Sequence, residues 1–99
     1  MPQQSSANRP TQSIAVLPFV NRSSDPDNEY FSDGISEEII NALTRIRDLK
    51  VIARTSSFSY KGKAVDIRTI GEELDVATVL EGSVRRIETR VRITAQLVD

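Results

Sequence analysis

The sequence predicts one small α/β domain with three layers, α/β/α, and the element order β-α-β-α-β-β. Three observations carry that expectation. The run "SIAVLPFV" is apolar at successive positions, as in a strand covered on both faces. Phe31, Ile35, Ile39, Ala42, Leu43 and Ile46 recur at spacings of three and four, which is one apolar helix stripe. Residues 90–98, "RVRITAQLV", alternate strictly and follow a second strand-like run almost without interruption. Those last two strands must pair antiparallel, because a parallel pair needs a long crossover.

The elements follow in order. "MPQQSSANRPTQ", residues 1–12, is polar, carries Pro2 and Pro10, and reads as a disordered tail or linker. The domain then occupies residues 13–99. Pro18 cannot donate to a ladder, so it belongs near the end of the first strand. "NRSSDPDNEY" is a polar loop, and the helix should start between Asn28 and Ser32. Glu29, Glu37 and Glu38 suit its early turns, and Arg45 and Arg47 its last. "LKVIAR" is a short second strand with Lys50 and Arg54 alternating against apolar residues, which suits an edge. "TSSFSYKGKAV" reads as a long connection. Asp66 then caps a short helix carrying Ile67, Ile70 and Leu74. "ATVLEGSVRRI" is the third strand and "RVRITAQLV" the fourth.

Right-handed crossovers place the first, most apolar strand inside. The expected mixed sheet has the order 2-1-3-4, with the helices on opposite faces. Val16, Ile39, Leu43, Leu80 and Ile93 are the expected core, and Val91, Ile93, Ala95 and Leu97 the core-facing side of the fourth strand. The chain stops at Asp99, directly after that strand, as a domain truncated at its carboxyl-terminal end would.

Composition excludes several chemistries. The chain has 13 basic and 14 acidic residues and no histidine or cysteine. Zinc fingers, disulfides, thiol chemistry and histidine-based triads are ruled out. No long basic block marks a nucleic-acid partner, and no apolar run is long enough to span a bilayer. No cofactor is implied, and neither is a catalytic residue or a metal ligand.

Gly62-Lys63 in "SYKGKAVDIR" invites comparison with a phosphate loop. Ala64 stands where that loop needs a hydroxyl, and Ser57 where it needs its first glycine. Asp66 also puts a carboxylate where a phosphate would lie, so a glycine turn feeding a capped helix is expected. The loops at the carboxyl ends of the strands still gather Arg22, Arg54, Ser56, Tyr60, Lys61 and Lys63, an arrangement suited to a weak anion at the sheet's switch point. Asp25, Asp27, Glu29 and Asp33 lack the rhythm of a calcium loop. Glu37 and Glu38 are adjacent on a helix and diverge, so they do not form an acid/base pair. Arg85, Arg86, Arg90 and Arg92 cluster on the last hairpin, with Arg86 expected to share a face with Arg90 or Arg92; aromatic stacking partners for RNA are missing there. Gly82, inside the third strand, marks a close approach, expected from a helix or over a pocket floor. Glu81 beside it would need a partner if buried.

The blocks "SIAVLPFVN", "EYFSDGISEEIINAL", "VIARTSSFSYKGKAVDIRTIGEEL" and "VLEGSVRR…RVRITAQLVD" resemble the TolB amino-terminal-like domain of bacteria, over residues 13–99. The resemblance implies the same α/β/α fold, similar to anticodon-binding-like domains. It implies a parent in which a nucleotide cyclase or winged-helix domain and tetratricopeptide repeats flank this one. Asp75 replaces a common glycine after "EEL", and "IETR" a turn that often carries Gly or Asn.

These readings make the chain a non-catalytic protein-interaction module of a bacterial signalling protein. Its expected partner is another protein or a neighbouring domain, met through Arg90, Arg92, Thr94 and Gln96 on the last strand. The clustered arginines weigh against self-pairing and favour an acidic strand. The alternative is a small-molecule or anion sensor using the strand-end loops. Neither nucleic acid nor membrane is expected as a partner. The compartment, cytoplasmic or periplasmic, follows from the parent.

Overall fold

A computed structural model describes residues 12–99. The expected tail lies, apart from Gln12, outside the described residues. The elements are β1 (Ser13–Val16), β2 (Val20–Asn21), α1 (Asn28–Leu43), β3 (Lys50–Val51), α2 (Arg54–Phe58), α3 (Ile67–Leu74), β4 (Thr78–Ile87) and β5 (Arg90–Val98). β1 lies between β3 and β4 and is parallel to both, while β5 pairs antiparallel with β4 along its whole length. Counting β1 and β2 as one interrupted strand, this is the expected 2-1-3-4 order.

Pro18 causes the interruption. Leu17 still donates to the Leu80 carbonyl, and β2 resumes beside the far half of β4 at Val20 and Asn21. Phe19 between them turns its amide away from the sheet. The buried Ser36 hydroxyl accepts that N–H at 2.8 Å and donates back to the Ser32 carbonyl. A polar residue on the buried side of α1 is therefore required by a proline in a strand. Ser36→Ala leaves the Phe19 amide unsatisfied and is expected to cost about 1–3 kcal/mol, measured by urea denaturation.

The two helix layers cover opposite faces. Ala15, Leu17 and Val79 pack with Ile70 of α3 and with Val76. Val16, Phe19 and Val84 pack with Ile40 of α1, and Phe31, Ile35, Ile39, Leu43 and Leu80 complete that side. Of the expected stripe, Ile46 lies past the end of α1 and is 50% exposed.

Several local expectations are corrected. The second strand shrinks to Lys50–Val51, and Arg54 from its expected end joins residues 55–58 of the supposed connection to form α2, with Phe58 against the α1-side core. Asp66 occupies the cap position of α3, but its side chain makes no capping hydrogen bond. Asp75 takes the left-handed conformation, φ 55, that a glycine would adopt freely. The tight turn between β4 and β5 places Glu88 at φ 54.

The largest correction concerns β5. Val91, Ile93 and Leu97 lie 44%, 48% and 62% exposed, so Ile93 is not core and the stripe does not face inward. Ile93 pairs with Val84 and Leu97 with Leu80, which puts the stripe on the same side of the sheet as α1. A helix is about 10 Å wide and strands lie about 4.8 Å apart, so one helix covers roughly two strands. β5 lies beyond the reach of α1.

Candidate functional site

Two features stand out. The first is a cleft of about 390 Å³ at the carboxyl end of β1. Leu17, Val65, Ile67 and Ile70 give it an apolar floor, and Tyr60, Lys61, Lys63, Glu29 and Glu81 a polar rim. The Tyr60–Val65 loop reaches this position because Gly62, at φ 75, reverses the chain just after α2. Four residues, 63–66, separate Gly62 from α3, so no glycine loop feeds a helix start directly.

The structure divides the six residues expected around an anion. Tyr60, Lys61 and Lys63 line the cleft; Arg22, Arg54 and Ser56 do not. Arg54 lies over the Phe58 ring and pairs with Glu37 at 2.5 Å, tying α2 to α1. Lys61 pairs with Asp33 at 2.6 Å and Glu29 at 3.2 Å. The Asp33 hydrogen bond raises the Lys61 pKa above its ordinary value, against the opposing effect of partial burial. Glu29 and Asp33, two of the acidic residues that lack a calcium-loop rhythm, thus hold a lysine. The Tyr60 hydroxyl donates to Glu73 at 2.6 Å, which raises its pKa by stabilising the protonated form. Lys63 forms no ion pair with a described residue.

Gly82 borders the cleft. The close approach there comes from the Phe19 ring and the Thr94 carbonyl rather than from a helix, and Gly82 is among the residues that line the cleft.

The second feature is the free edge of β5. Leu17 and Arg22 donate to the Leu80 and Val84 carbonyls, and the Arg86 amide donates to Ser23. Even-numbered β4 residues therefore point their backbone groups toward β1 and β2, and odd-numbered ones toward β5. With the observed register, Arg90, Arg92, Thr94, Gln96 and Val98 of β5 complete that ladder. The N–H and C=O groups of Val91, Ile93, Ala95 and Leu97 point outward, where among the described residues no strand pairs with them. Arg90, Arg92, Thr94 and Gln96, all exposed, stand on the α3 side of the sheet and the apolar stripe on the α1 side. Arg92 is opposite Arg85; Arg86 turns to the other face, 4.9 Å from the Phe31 ring, and does not join them. The alternation in the sequence revealed both stripes. It held no signal that the apolar one is uncovered.

Comparison with known proteins now bears on these features. Residues 10–99 match the family described as "HilA/YgeH-like transcriptional regulator, second domain". The chain belongs to this family. As a HilA/YgeH-like second domain it is also 60% identical over 87 residues to the Rhizobium meliloti (strain 1021) protein named "Putative adenylate cyclase 3". That match covers 88% of this chain and 15% of the relative, so the chain spans a small part of the relative's length. Two solved structures share the fold of this HilA/YgeH-like domain. Lipoprotein GNA1162 from Neisseria meningitidis superposes with a TM-score of 0.68 at 23% identity, over 88% of this chain and 68% of that one. The LpoB C-terminal domain from Escherichia coli gives 0.62 at 16%, over 88% and 70%. Among the described residues, no helix is long and apolar enough to cross a membrane.

Proposed function

We propose that this domain is a non-catalytic interaction module of a larger bacterial signalling protein, and that it docks an extended strand along the free edge of β5. The observation that carries this reading is the coincidence of outward backbone groups at Val91, Ile93, Ala95 and Leu97 with exposed apolar side chains at Val91, Ile93 and Leu97. Added strands gain affinity from the main chain and selectivity from alternate side chains. An exposed edge of this kind is otherwise an aggregation hazard, which natural proteins cover. The family description and the cyclase-named relative support a regulatory parent, a transcriptional regulator or a nucleotide cyclase. The TolB-like resemblance adds tetratricopeptide repeats to that parent, which sets the compartment. Neither nucleic acid nor membrane is proposed as a partner.

The test is a titration of the labelled domain with a synthetic peptide of alternating valine and glutamate. Saturable amide shifts centred on residues 91–97 are expected, and Ile93→Pro should abolish them. That proline removes an outward N–H and leaves the ladder to β4 intact. Shifts that ignore the proline, or none at all, would contradict the reading.

A second reading has its own observation, Lys63 lining an apolar-floored cleft with no ion pair to a described residue. It makes the cleft a sensor for a small amphipathic or anionic ligand. Titration with ATP, cyclic AMP and cyclic GMP is expected to leave the amides of residues 60–65 unmoved; saturable micromolar binding there would favour the sensor.

A further inference from the structure

We propose that the strand docking on β5 is β5 of a second copy of this chain, paired antiparallel about Thr94. This rests on the reading of β5 as a docking edge and names its partner. Any symmetric antiparallel pair that keeps the apolar stripes on one face must join odd residues to odd and even to even. Centring on Thr94 satisfies this and also overlaps the whole strand from Arg90 to Val98.

In that register Val91 meets Leu97 of the second copy, and Ile93 meets Ala95. These residues carry the outward N–H and C=O groups, so both pairs are fully hydrogen-bonded. Each copy donates four N–H groups, and every outward group along the strand is satisfied. The two exposed stripes become one apolar surface on the α1 side of a continuous sheet. Val91, Ile93 and Leu97 of each copy then lose exposure to apolar neighbours.

The arginines do not oppose this arrangement. Arg92 falls opposite Gln96 of the second copy, and Arg90 opposite Val98, so no two arginines meet directly. Gln96 is in turn paired with Glu81 on the same face, which sets a carboxylate two strands from Arg92 of the neighbouring copy. The clustered arginines, expected to weigh against self-pairing, carry less repulsion in this register, because the like-charge neighbour of Arg92 is Arg85 within one chain rather than an arginine across the pair.

The chain has no cysteine, so single cysteines report the register cleanly. Thr94 would face its own copy in a non-hydrogen-bonded pair, with Cα atoms about 4.5 Å apart, within disulfide reach. Thr94→Cys is expected to oxidise to a covalent dimer. Arg92→Cys and Gln96→Cys should each form no covalent dimer alone and cross-link when mixed. Sedimentation of the cysteine-free chain should show a concentration-dependent dimer. Ile93→Asp, at an exposed position, should weaken it at least about tenfold without unfolding the domain, because both copies lose an apolar contact.

A chain that stays monomeric at all concentrations overturns the proposal, as does cross-linking of Arg92→Cys alone in preference to Thr94→Cys. If the monomeric chain still captures the valine-glutamate peptide at residues 91–97, the second copy fails and the docking edge stands. If neither occurs, both fail.

Discussion

Gly82→Ala is expected to destabilise the domain by about 3 kcal/mol or more, a large fraction of the stability of a small domain. A Cβ at this position would lie 2.2 Å from the Thr94 carbonyl oxygen and 2.7 and 2.9 Å from two Phe19 ring carbons. The ring could move, but only by leaving a site where it is 1% exposed. The Thr94 oxygen belongs to the backbone of the paired strand and cannot move without parting β5 from β4. The substitution should therefore lower the melting temperature and flatten the near-ultraviolet signal of the packed aromatics. An unchanged melting curve would mean that β4 and β5 pair less closely here than described.

Ile40→Ala is expected to cost about 2–5 kcal/mol, from lost burial plus the cavity left behind. Ile40 is 6% exposed and joins α1 to Val16, Phe19 and Val84. Its neighbour Ile39, an expected core residue, is only partly buried, and Ile39→Ala should cost less. Equilibrium denaturation of the two variants ranks them, and the opposite order would mean that α1 is rotated about its axis.

Much of the architecture was legible because the chain repeats one message at several levels. The apolar run of β1 requires cover on both faces, the α1 stripe has one buried side, and the short link after Ile87 permits an antiparallel pair alone. Right-handed crossovers then leave one strand order. What escaped was set by partners distant in sequence. Ser36 reads as an ordinary helix serine until the Phe19 amide, displaced by Pro18, needs an acceptor. Arg54 and Lys61 read as free cations until α2 brings them to carboxylates on α1. Their neutralisation leaves Lys63 as the cation of the expected anion cluster that lines the cleft without an ion pair to a described residue. Alternation in β5 told which residues share a face, but not whether anything covers it. That depends on the width of one helix against the width of the sheet.

Amide hydrogen exchange in β5, followed in dilute protein and again with the edge occupied, tests the docking edge most directly. An alternating pattern is expected when dilute. Arg92, Thr94 and Gln96, bonded to β4, should exchange slowly, while Val91, Ile93, Ala95 and Leu97 exchange fast. Protection should then appear at the four fast positions as the protein is concentrated or the valine-glutamate peptide is added. Uniform slow exchange along β5 in dilute protein would mean that the edge is already covered, and would contradict the account.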